Sequence, residues 1–316
     1  MTRWTMLMPL VLSAQAPPPP ATDAQAAELR ALIGHSPKMP VNLAPLEIQR
    51  PNADWTAGYI SSVATAPDGT IYLVQRELKF DPVVVLDQKG KILRSWGGGL
   101  SYKIPHSVRI DPQGNVWTVD AGNSMIYKFT REGKKLLEID VGGLPERRSE
   151  FRGTADITFA PGGRLFVADG YGNARVLEYN AAGKKMREWG SHGTKPGQFN
   201  LVHGIACDRD GILYVADREN GRIQRFDLEG RYLGEWGHLG KTFSLTLSPQ
   251  GDLWIGTQPR NVPNGAEGWI VKVDRKTGKV LGHVSSPGTH SVDVNSKGEV
   301  FTGSRSVVNA VVWFRK

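Results

Sequence analysis

The chain has 316 residues, of which 40% are hydrophobic and 22% charged, and its formal net charge at pH 7 is +8. This composition excludes a disordered or collagen-like chain and is sufficient for a full hydrophobic core. The basic residues are dispersed rather than clustered, which argues against nucleic-acid binding and favours a small carboxylate-bearing partner.

The N-terminus has the pattern of a targeting segment. Arg3 is followed by an apolar stretch over residues 4–12 and then by Ser13-Ala14-Gln15-Ala16. This order predicts a signal peptide over residues 1–16 and a secreted or periplasmic protein, and the stretch is too short to span a membrane. A disordered N-terminus with some apolar residues is the alternative. Residues 17–40 are predicted to form a linker, and residues 24–33 have the composition of a short helix.

The rest of the chain is repetitive. A β-rich run, a tight turn and a second β-rich run recur six times, with turn glycines 40 to 49 residues apart. These glycines are Gly69, Gly114, Gly163, Gly211, Gly251 and Gly298. A third β-rich run follows in every copy, and a fourth follows in every copy except the sixth. Four strands at this period predict an all-β, six-bladed β-propeller with four-stranded antiparallel blades over residues 41–316.

The sixth copy ends early, at Val311-VWFRK, and so lacks its fourth strand. An incomplete blade would expose a row of unpaired backbone groups. The apolar, extended segment over residues 45–49 precedes the first copy and is predicted to supply the missing strand.

Superposing the six copies singles out three histidines. Eight residues before the turn glycine, the second, fourth and sixth copies have His106, His203 and His290, whereas the other three have Ser61, Ala155 and Phe243. The first strand of a propeller blade lines the axis, so alternate blades would bring three imidazoles together. Three histidines with an open fourth position are typical of catalytic zinc, although copper, iron, cobalt and manganese also accept imidazole. Separate channel-lining histidines are the alternative.

A second shared offset adds candidate substrate-binding residues. Seven residues after the turn glycine stand Arg76, Arg218 and Arg305, and Tyr171 lies one residue beyond this offset in the third copy. Arginine binds both oxygens of a carboxylate, and a tyrosine hydroxyl beside a cation can serve as a base. Arg76, Arg218 and Tyr171 are therefore the predicted catalytic residues, while Arg305 is interpreted as a surface residue.

The runs IPHSVRIDPQGNVWTVD, DGYGNARV, PGQFNLVHGIA and ADRENGRIQRF resemble the peptidyl-α-hydroxyglycine α-amidating lyases, a family of NHL-repeat six-bladed propellers. The similarity extends from about residue 63 to the C-terminus. It implies that His106, His203 and His290 bind zinc, that Tyr171 is the catalytic base, and that Arg76 and Arg218 lie in the active site. The implied reaction cleaves a C-terminal α-hydroxyglycine, a carbinolamide, into a peptide amide and glyoxylate.

The resemblance also implies a structural calcium ion, bound by the backbone carbonyls of Val63 and Val108 and by an aspartate directly after the third histidine. This chain has Ser291 at that position, so the implied site lacks a carboxylate ligand. The family's disulfides cannot form, because Cys207 is the single cysteine.

Two other functions compete with the lyase. One is a metal-dependent propeller hydrolase such as a lactonase, although such enzymes usually bind calcium with carboxylate and asparagine ligands. The other is a noncatalytic NHL-type module that binds a peptide or glycan at the mouth of the channel. The oligomeric state is open, and a monomer is favoured.

Overall fold

The computed structural model describes residues 23–143, 149–303 and 309–315. The predicted signal peptide, residues 17–22 of the predicted linker, and Arg305 lie outside these ranges. Within them, no helix has the length and apolar character needed to cross a membrane.

The structure confirms a six-bladed propeller with four-stranded antiparallel blades. The strands of blades 1 to 5 pair in chain order, and the first strand of each is innermost. Blade 1 contains β3 (Ile60–Thr65), β4 (Ile71–Gln75), β5 (Val83–Leu86) and β6 (Ile92–Trp96). Blade 2 contains β7 (Pro105–Ile110), β8 (Val116–Asp120), β9 (Met125–Phe129) and β10 (Lys135–Asp140). Blade 3 contains β11 (Asp156–Ala160), β12 (Arg164–Asp169), β13 (Arg175–Tyr179) and β14 (Lys185–Trp189), with a 3₁₀ turn at Pro161–Gly163.

Blades 4 and 5 repeat this order. A short parallel pair, β15 (Ser191–His192) and β16 (Gln198–Phe199), connects blade 3 to blade 4. Blade 4 contains β17 (Val202–Cys207), β18 (Leu213–Asp217), β19 (Arg222–Phe226) and β20 (Tyr232–Trp236). Blade 5 contains β21 (Lys241–Leu247), β22 (Leu253–Gln258), β23 (Trp269–Val273) and β24 (Val280–Ser285).

Blade 6 is completed by the N-terminal segment, as the sequence predicted. Its own strands are β25 (Asp293–Val294), β26 (Val300–Thr302) and β27 (Ala310–Arg315). Two short strands, β1 (Asn42–Leu43) and β2 (Leu46–Glu47), both pair antiparallel with β27. The missing strand is therefore supplied in two pieces. Only the second piece, β2, lies in the segment 45–49 that was predicted to close the ring.

The hydrophobic core is divided among the blade interfaces. Six apolar clusters of buried residues lie one between each pair of neighbouring blades, including the pair formed by blades 6 and 1. The helix α1 (Asp23–His35) adds Leu29 and Ile33 to the cluster between blades 4 and 5. Each blade is therefore held by its two neighbours, and the ring depends on closure between the last blade and the first.

A β-bulge shapes the inner strands at the position of the histidines. The pairing register shifts at Ser61, His106, His203 and Phe243, in blades 1, 2, 4 and 5 respectively. A bulge leaves one residue unpaired and re-aims its side chain. Side chains at this offset and at the next residue consequently both line the channel.

We expect β1 and β2, the two strands of the closing segment, to contribute unequally to the free energy of unfolding. Leu46 on β2 is buried between blades 6 and 1, whereas Leu43 on β1 is 60% exposed. Leu46→Ala should lower the free energy of unfolding by about 2 to 4 kcal/mol, because it leaves a cavity in that cluster. Leu43→Ala should change it by less than about 0.5 kcal/mol. Urea unfolding followed by tryptophan fluorescence measures both, and equal losses would contradict closure by packing of β2.

Candidate metal centre and active site

Three buried histidines converge on the channel axis. His106, His203 and His290 come from blades 2, 4 and 6, and their potential ligand nitrogens all lie within 4.8 Å of one another. Their ring centroids are 4.6 to 5.1 Å apart. Over the residues that the structure describes, this is the group of His, Cys, Asp and Glu side chains with the geometry to hold a metal ion.

Each histidine is oriented by a backbone carbonyl of the next blade. His106 Nδ1 lies 2.6 Å from the Ala155 oxygen, and His203 Nδ1 lies 2.6 Å from the Phe243 oxygen. The third, His290 Nδ1, lies 2.8 Å from the oxygen of Ser61, which closes the ring. Because a carbonyl only accepts hydrogen bonds, each Nδ1 must carry the hydrogen, and each Nε2 presents a lone pair. The three acceptor residues stand eight residues before the turn glycine, as the histidines do, but in blades 3, 5 and 1.

The Tyr171 hydroxyl lies between two of these lone pairs. It is 2.9 Å from His106 Nε2 and 2.8 Å from His203 Nε2. The hydroxyl has one hydrogen and can donate it to only one of the two rings, so the other contact brings two lone pairs together. A cation bound by the Nε2 atoms would relieve this mismatch. The donor set therefore fits a metal ion that accepts three imidazoles.

Two of the histidines, His106 and His203, are held in the neutral form that binds metals. Burial lowers the pKa of His106 well below its ordinary value, and the neighbouring His290 and Arg76 lower it further. Burial also lowers the pKa of His203, with Arg218 as the next cause. Metal ligation requires an unprotonated ring nitrogen, so both shifts favour the protonation state that binds a metal.

Six aromatic and cationic side chains form a rim above the histidines, which we call the crown. Its members are Tyr59, Arg76, Phe151, Tyr171, Arg218 and Phe243. Tyr59 contacts His290 edge-on with ring centroids 5.6 Å apart, and Phe151 lies 5.0 Å from Tyr171. The crown therefore surrounds the mouth of the channel on the side where the Nε2 atoms of the histidines meet Tyr171.

The two arginines of the crown have different surroundings. The Arg76 guanidinium lies 4.7 Å from the ring centroid of Tyr59 and 5.2 Å from that of Phe151, and its Nε donates to the Pro105 carbonyl at 3.1 Å. The Nε of Arg218 instead bonds Glu219 at 2.9 Å, and Glu219 also pairs with Lys241 at 2.9 Å. Although burial favours the protonated carboxyl, Arg218 and Lys241 hold the pKa of Glu219 below its ordinary value. Arg218 therefore already shares a carboxylate, whereas the guanidinium of Arg76 lies against two aromatic rings and bonds a backbone carbonyl.

Two buried aspartates brace the loops that carry Tyr171 and Arg218. Asp169 accepts hydrogen bonds from Asn173 and Arg175, at 2.8 and 2.7 Å. The equivalent Asp217 accepts from Asn220 and Arg222 at the same distances. The specific residues of DGYGNARV and DRENGRI thus form a matching Asp–Asn–Arg cluster beneath each loop. These hydrogen bonds hold the backbone of the two loops, and so position Tyr171 and Arg218.

The structure thus brings His106, His203, His290, Tyr171, Arg76 and Arg218 to one mouth of the channel. Val63 and Val108, the carbonyl ligands implied for calcium, lie buried on β3 and β7, two residues beyond the histidine offset. Sequence reasoning missed Tyr59, Phe151 and the Glu219–Lys241 pair. Phe243 was visible at the histidine offset, but nothing in the repeat marked it as part of the mouth.

Comparisons with known proteins agree with the fold and with the motifs. The NHL repeat model matches residues 199–226. The peptidyl-glycine α-amidating monooxygenase of Mus musculus is 31% identical over 246 residues, which are 71% of this chain and 24% of the relative. A probable peptidyl-α-hydroxyglycine α-amidating lyase of Caenorhabditis elegans is 32% identical over 149 residues, which are 46% of this chain and 42% of the relative. The chain thus spans a quarter to less than half of these relatives, and the resemblance to amidating lyases is confirmed at this modest identity.

A solved streptogramin B lyase superposes with a TM-score of 0.60 at 17% identity, covering 87% of this chain and 97% of that structure. At this identity the likeness shows the propeller fold and nothing about chemistry.

We expect the protein to bind one divalent transition-metal ion per chain. Binding of this ion should depend strongly on His203. His203→Ala should weaken metal binding at least about 100-fold, because it removes a ligand rather than a supporting group. His192→Ala is the matched control, since this exposed histidine lies on β15, outside the three-histidine group. Metal content after dialysis, measured by inductively coupled plasma mass spectrometry, reports both variants. Full occupancy in His203→Ala would contradict the three-histidine site.

Proposed function

We propose that this chain, a homologue of the peptidyl-α-hydroxyglycine α-amidating lyases, is a metal-dependent lyase that cleaves carbinolamide substrates into an amide and glyoxylate. The observation that carries the proposal is the Tyr171 hydroxyl, which lies within 2.9 Å of two histidine Nε2 atoms beneath a crown with two arginines. Such an arrangement suits an anionic substrate with an ionisable hydroxyl group. The natural substrate would be the C-terminus of a peptide that ends in α-hydroxyglycine, or a smaller analogue.

His106, His203 and His290 would hold the metal, and zinc is the ion we favour because three imidazoles and an open position suit it. When bound, the metal supplies a Lewis acid beside the substrate hydroxyl and carboxylate. The histidines keep their Nδ1 hydrogens on the three carbonyls throughout, so the ligand orientation is fixed before the substrate binds.

Arg76 would bind the substrate carboxylate. A planar guanidinium flanked by two aromatic faces is pre-organised, so it loses little conformational freedom when it forms a bidentate pair. Arg218 is partly neutralised by Glu219, and we assign it to positioning Tyr171, whose ring centroid lies 5.7 Å from its guanidinium carbon.

Tyr171 would accept the proton of the substrate hydroxyl. As the bond between nitrogen and the hydroxyl-bearing carbon breaks, its electron pair stays on nitrogen, which takes up one proton. The carbon becomes the aldehyde carbon of glyoxylate, so the reaction releases no net proton. The aromatic members of the crown would limit access of water to this step.

Tyr171→Phe should retain the metal and lose activity. Removing a general acid or base lowers the turnover number by about 10² to 10⁴-fold. The assay is glyoxylate release from α-hydroxyhippuric acid by the metal-loaded protein. Tyr232→Phe is the control, because this hydroxyl lies on the outer strand of blade 4 and bonds Glu235.

The same assay separates the competing functions. Stoichiometric metal without glyoxylate release from any carbinolamide would contradict the lyase and favour the NHL-type binding module. Hydrolysis of lactones instead would favour the propeller hydrolase.

Arg76→Met should raise the KM for α-hydroxyhippuric acid by about 10- to 100-fold, the loss expected for a charge-assisted hydrogen bond. The methyl ester of the substrate lacks the negative charge, so its KM should barely change in this variant. Steady-state kinetics on both substrates measures the difference. An equal loss on acid and ester would show that Arg76 does not recognise the carboxylate.

A further inference from the structure

We infer that the guanidinium of Arg109 is the structural cation of the axial channel, and that the channel has this guanidinium instead of a bound calcium ion. This inference concerns the channel below the histidines and does not rest on the proposed lyase activity.

Arg109 reaches from blade 2 across the channel to blades 3 and 5. Its Nε and Nη2 donate to the two carboxylate oxygens of Asp156, at 2.9 and 2.5 Å. Its Nη2 also donates to the Leu245 carbonyl at 3.0 Å. Leu245 occupies the same offset in blade 5 as Val63 and Val108 in blades 1 and 2. The guanidinium thus bonds a backbone carbonyl from the layer in which the calcium ligands were expected.

Asp156 is fully engaged by these contacts. Besides the two bonds from Arg109, it accepts the Ser107 hydroxyl at 2.6 Å and the Ile205 amide at 3.4 Å. Asp156, which lies one residue beyond the histidine offset in blade 3, therefore has no lone-pair site left for a calcium ion. The corresponding residue of blade 6, Ser291, accepts the Gly303 amide at 3.2 Å and carries no charge.

A second carboxyl group beside Arg109 is also tied to the protein. Asp293 on blade 6 accepts the amide and the hydroxyl of Thr65 on blade 1, both at 2.6 Å with the same oxygen. Burial raises the pKa of Asp293, and the hydrogen bonds from Thr65 and the charge of Arg109 oppose that shift. Calcium needs six to eight oxygen ligands, several of them carboxylates, and a fixed guanidinium beside the site repels it. The residues present do not fit a calcium ion.

Electrostatics support a permanently charged Arg109. Burial alone would lower its pKa, but the charge of Asp156 and the hydrogen bonds to it hold the pKa above its ordinary value, and Asp293 acts in the same direction. A buried bidentate pair with saturated acceptors is the arrangement in which an internal ion pair is best tolerated. The hydrogen bonds of Arg109 and Asp156 join blades 2, 3, 4 and 5, and the neighbouring bonds between Asp293 and Thr65 join blades 6 and 1.

The network also separates the two ends of the channel. A cavity of about 10 Å³ lies between the histidines and Arg109, which is the space of roughly one water molecule. On the other side of Arg109, a funnel of about 570 Å³ opens at the opposite mouth. Among the described residues, Arg109 and Asp156 therefore stand between the histidines and the opposite mouth, and the crown lines the near side.

The first test uses the unmodified, metal-loaded protein with calcium chloride at about 5 mM, above the dissociation constants of weak extracellular calcium sites. We expect no calcium retained after gel filtration and a change in Tm below about 1 °C. One retained calcium ion per chain, or a Tm increase of several degrees that saturates with calcium, would overturn the inference. This test needs no variant to fold.

The second test removes the cation. Arg109→Met should lower the Tm by about 5 °C or more, because it leaves the Asp156 carboxylate buried without its partner. The double variant Arg109→Met with Asp156→Asn should recover most of that loss, since both charges are then absent. A double variant no more stable than Arg109→Met would contradict charge pairing as the cause. Arg231→Met is the matched control, because this arginine is 77% exposed and pairs with Asp227 on the surface.

Discussion

The hydrogen bond from Nδ1 of each channel histidine to a carbonyl of the next blade is the contact on which the candidate site depends. It requires that neighbouring inner strands keep a fixed register across the blade interface, because donor and acceptor both stand at the same offset of the repeat. The register is set by the apolar clusters between blades, and the ring of clusters closes only where β2 pairs with β27. Packing at the closure is therefore connected physically to the orientation of the imidazoles.

The charged side chains of the channel lie in layers. The crown contributes two arginines, and burial and those arginines disfavour protonation of His106 and His203 in the next layer. The layer below contains Arg109 paired with Asp156, together with the buried Asp293 carboxyl. A metal ion held by the histidines would thus have the Asp156–Arg109 ion pair on its inner side and the two guanidinium groups of the crown on its outer side. The guanidinium groups make the outer face attractive to an anion.

Much of this arrangement could be predicted from the sequence, because residues at the same distance from the turn glycine occupy equivalent positions in every blade. Four-stranded blades and the shared offset of the three histidines follow from the turn glycines. The missing fourth run of the sixth copy predicts closure by residues 45–49, which contain β2 but not β1. What could not be predicted depends on contacts between copies. The bulges that let His106 and Ser107 both face the channel have no sequence signal, and Phe151 belongs to a connection outside the repeat. Arg109 stood at an offset occupied by alanine or threonine in four other copies, so only the structure shows that it meets Asp156.

The contrast between Arg76 and Arg218 illustrates why equal offsets do not imply equal roles. Both arginines follow a second strand by the same number of residues, and the sequence treated them alike. The residue after Arg218 is a glutamate that turns back onto its guanidinium and is shared with Lys241, whereas the guanidinium of Arg76 lies against aromatic rings from two other segments. A carboxylate ligand of Arg218 would have to compete with Glu219. The repeat therefore determines the backbone position of a side chain. Its chemistry depends on the neighbouring residues that the fold brings into contact with it.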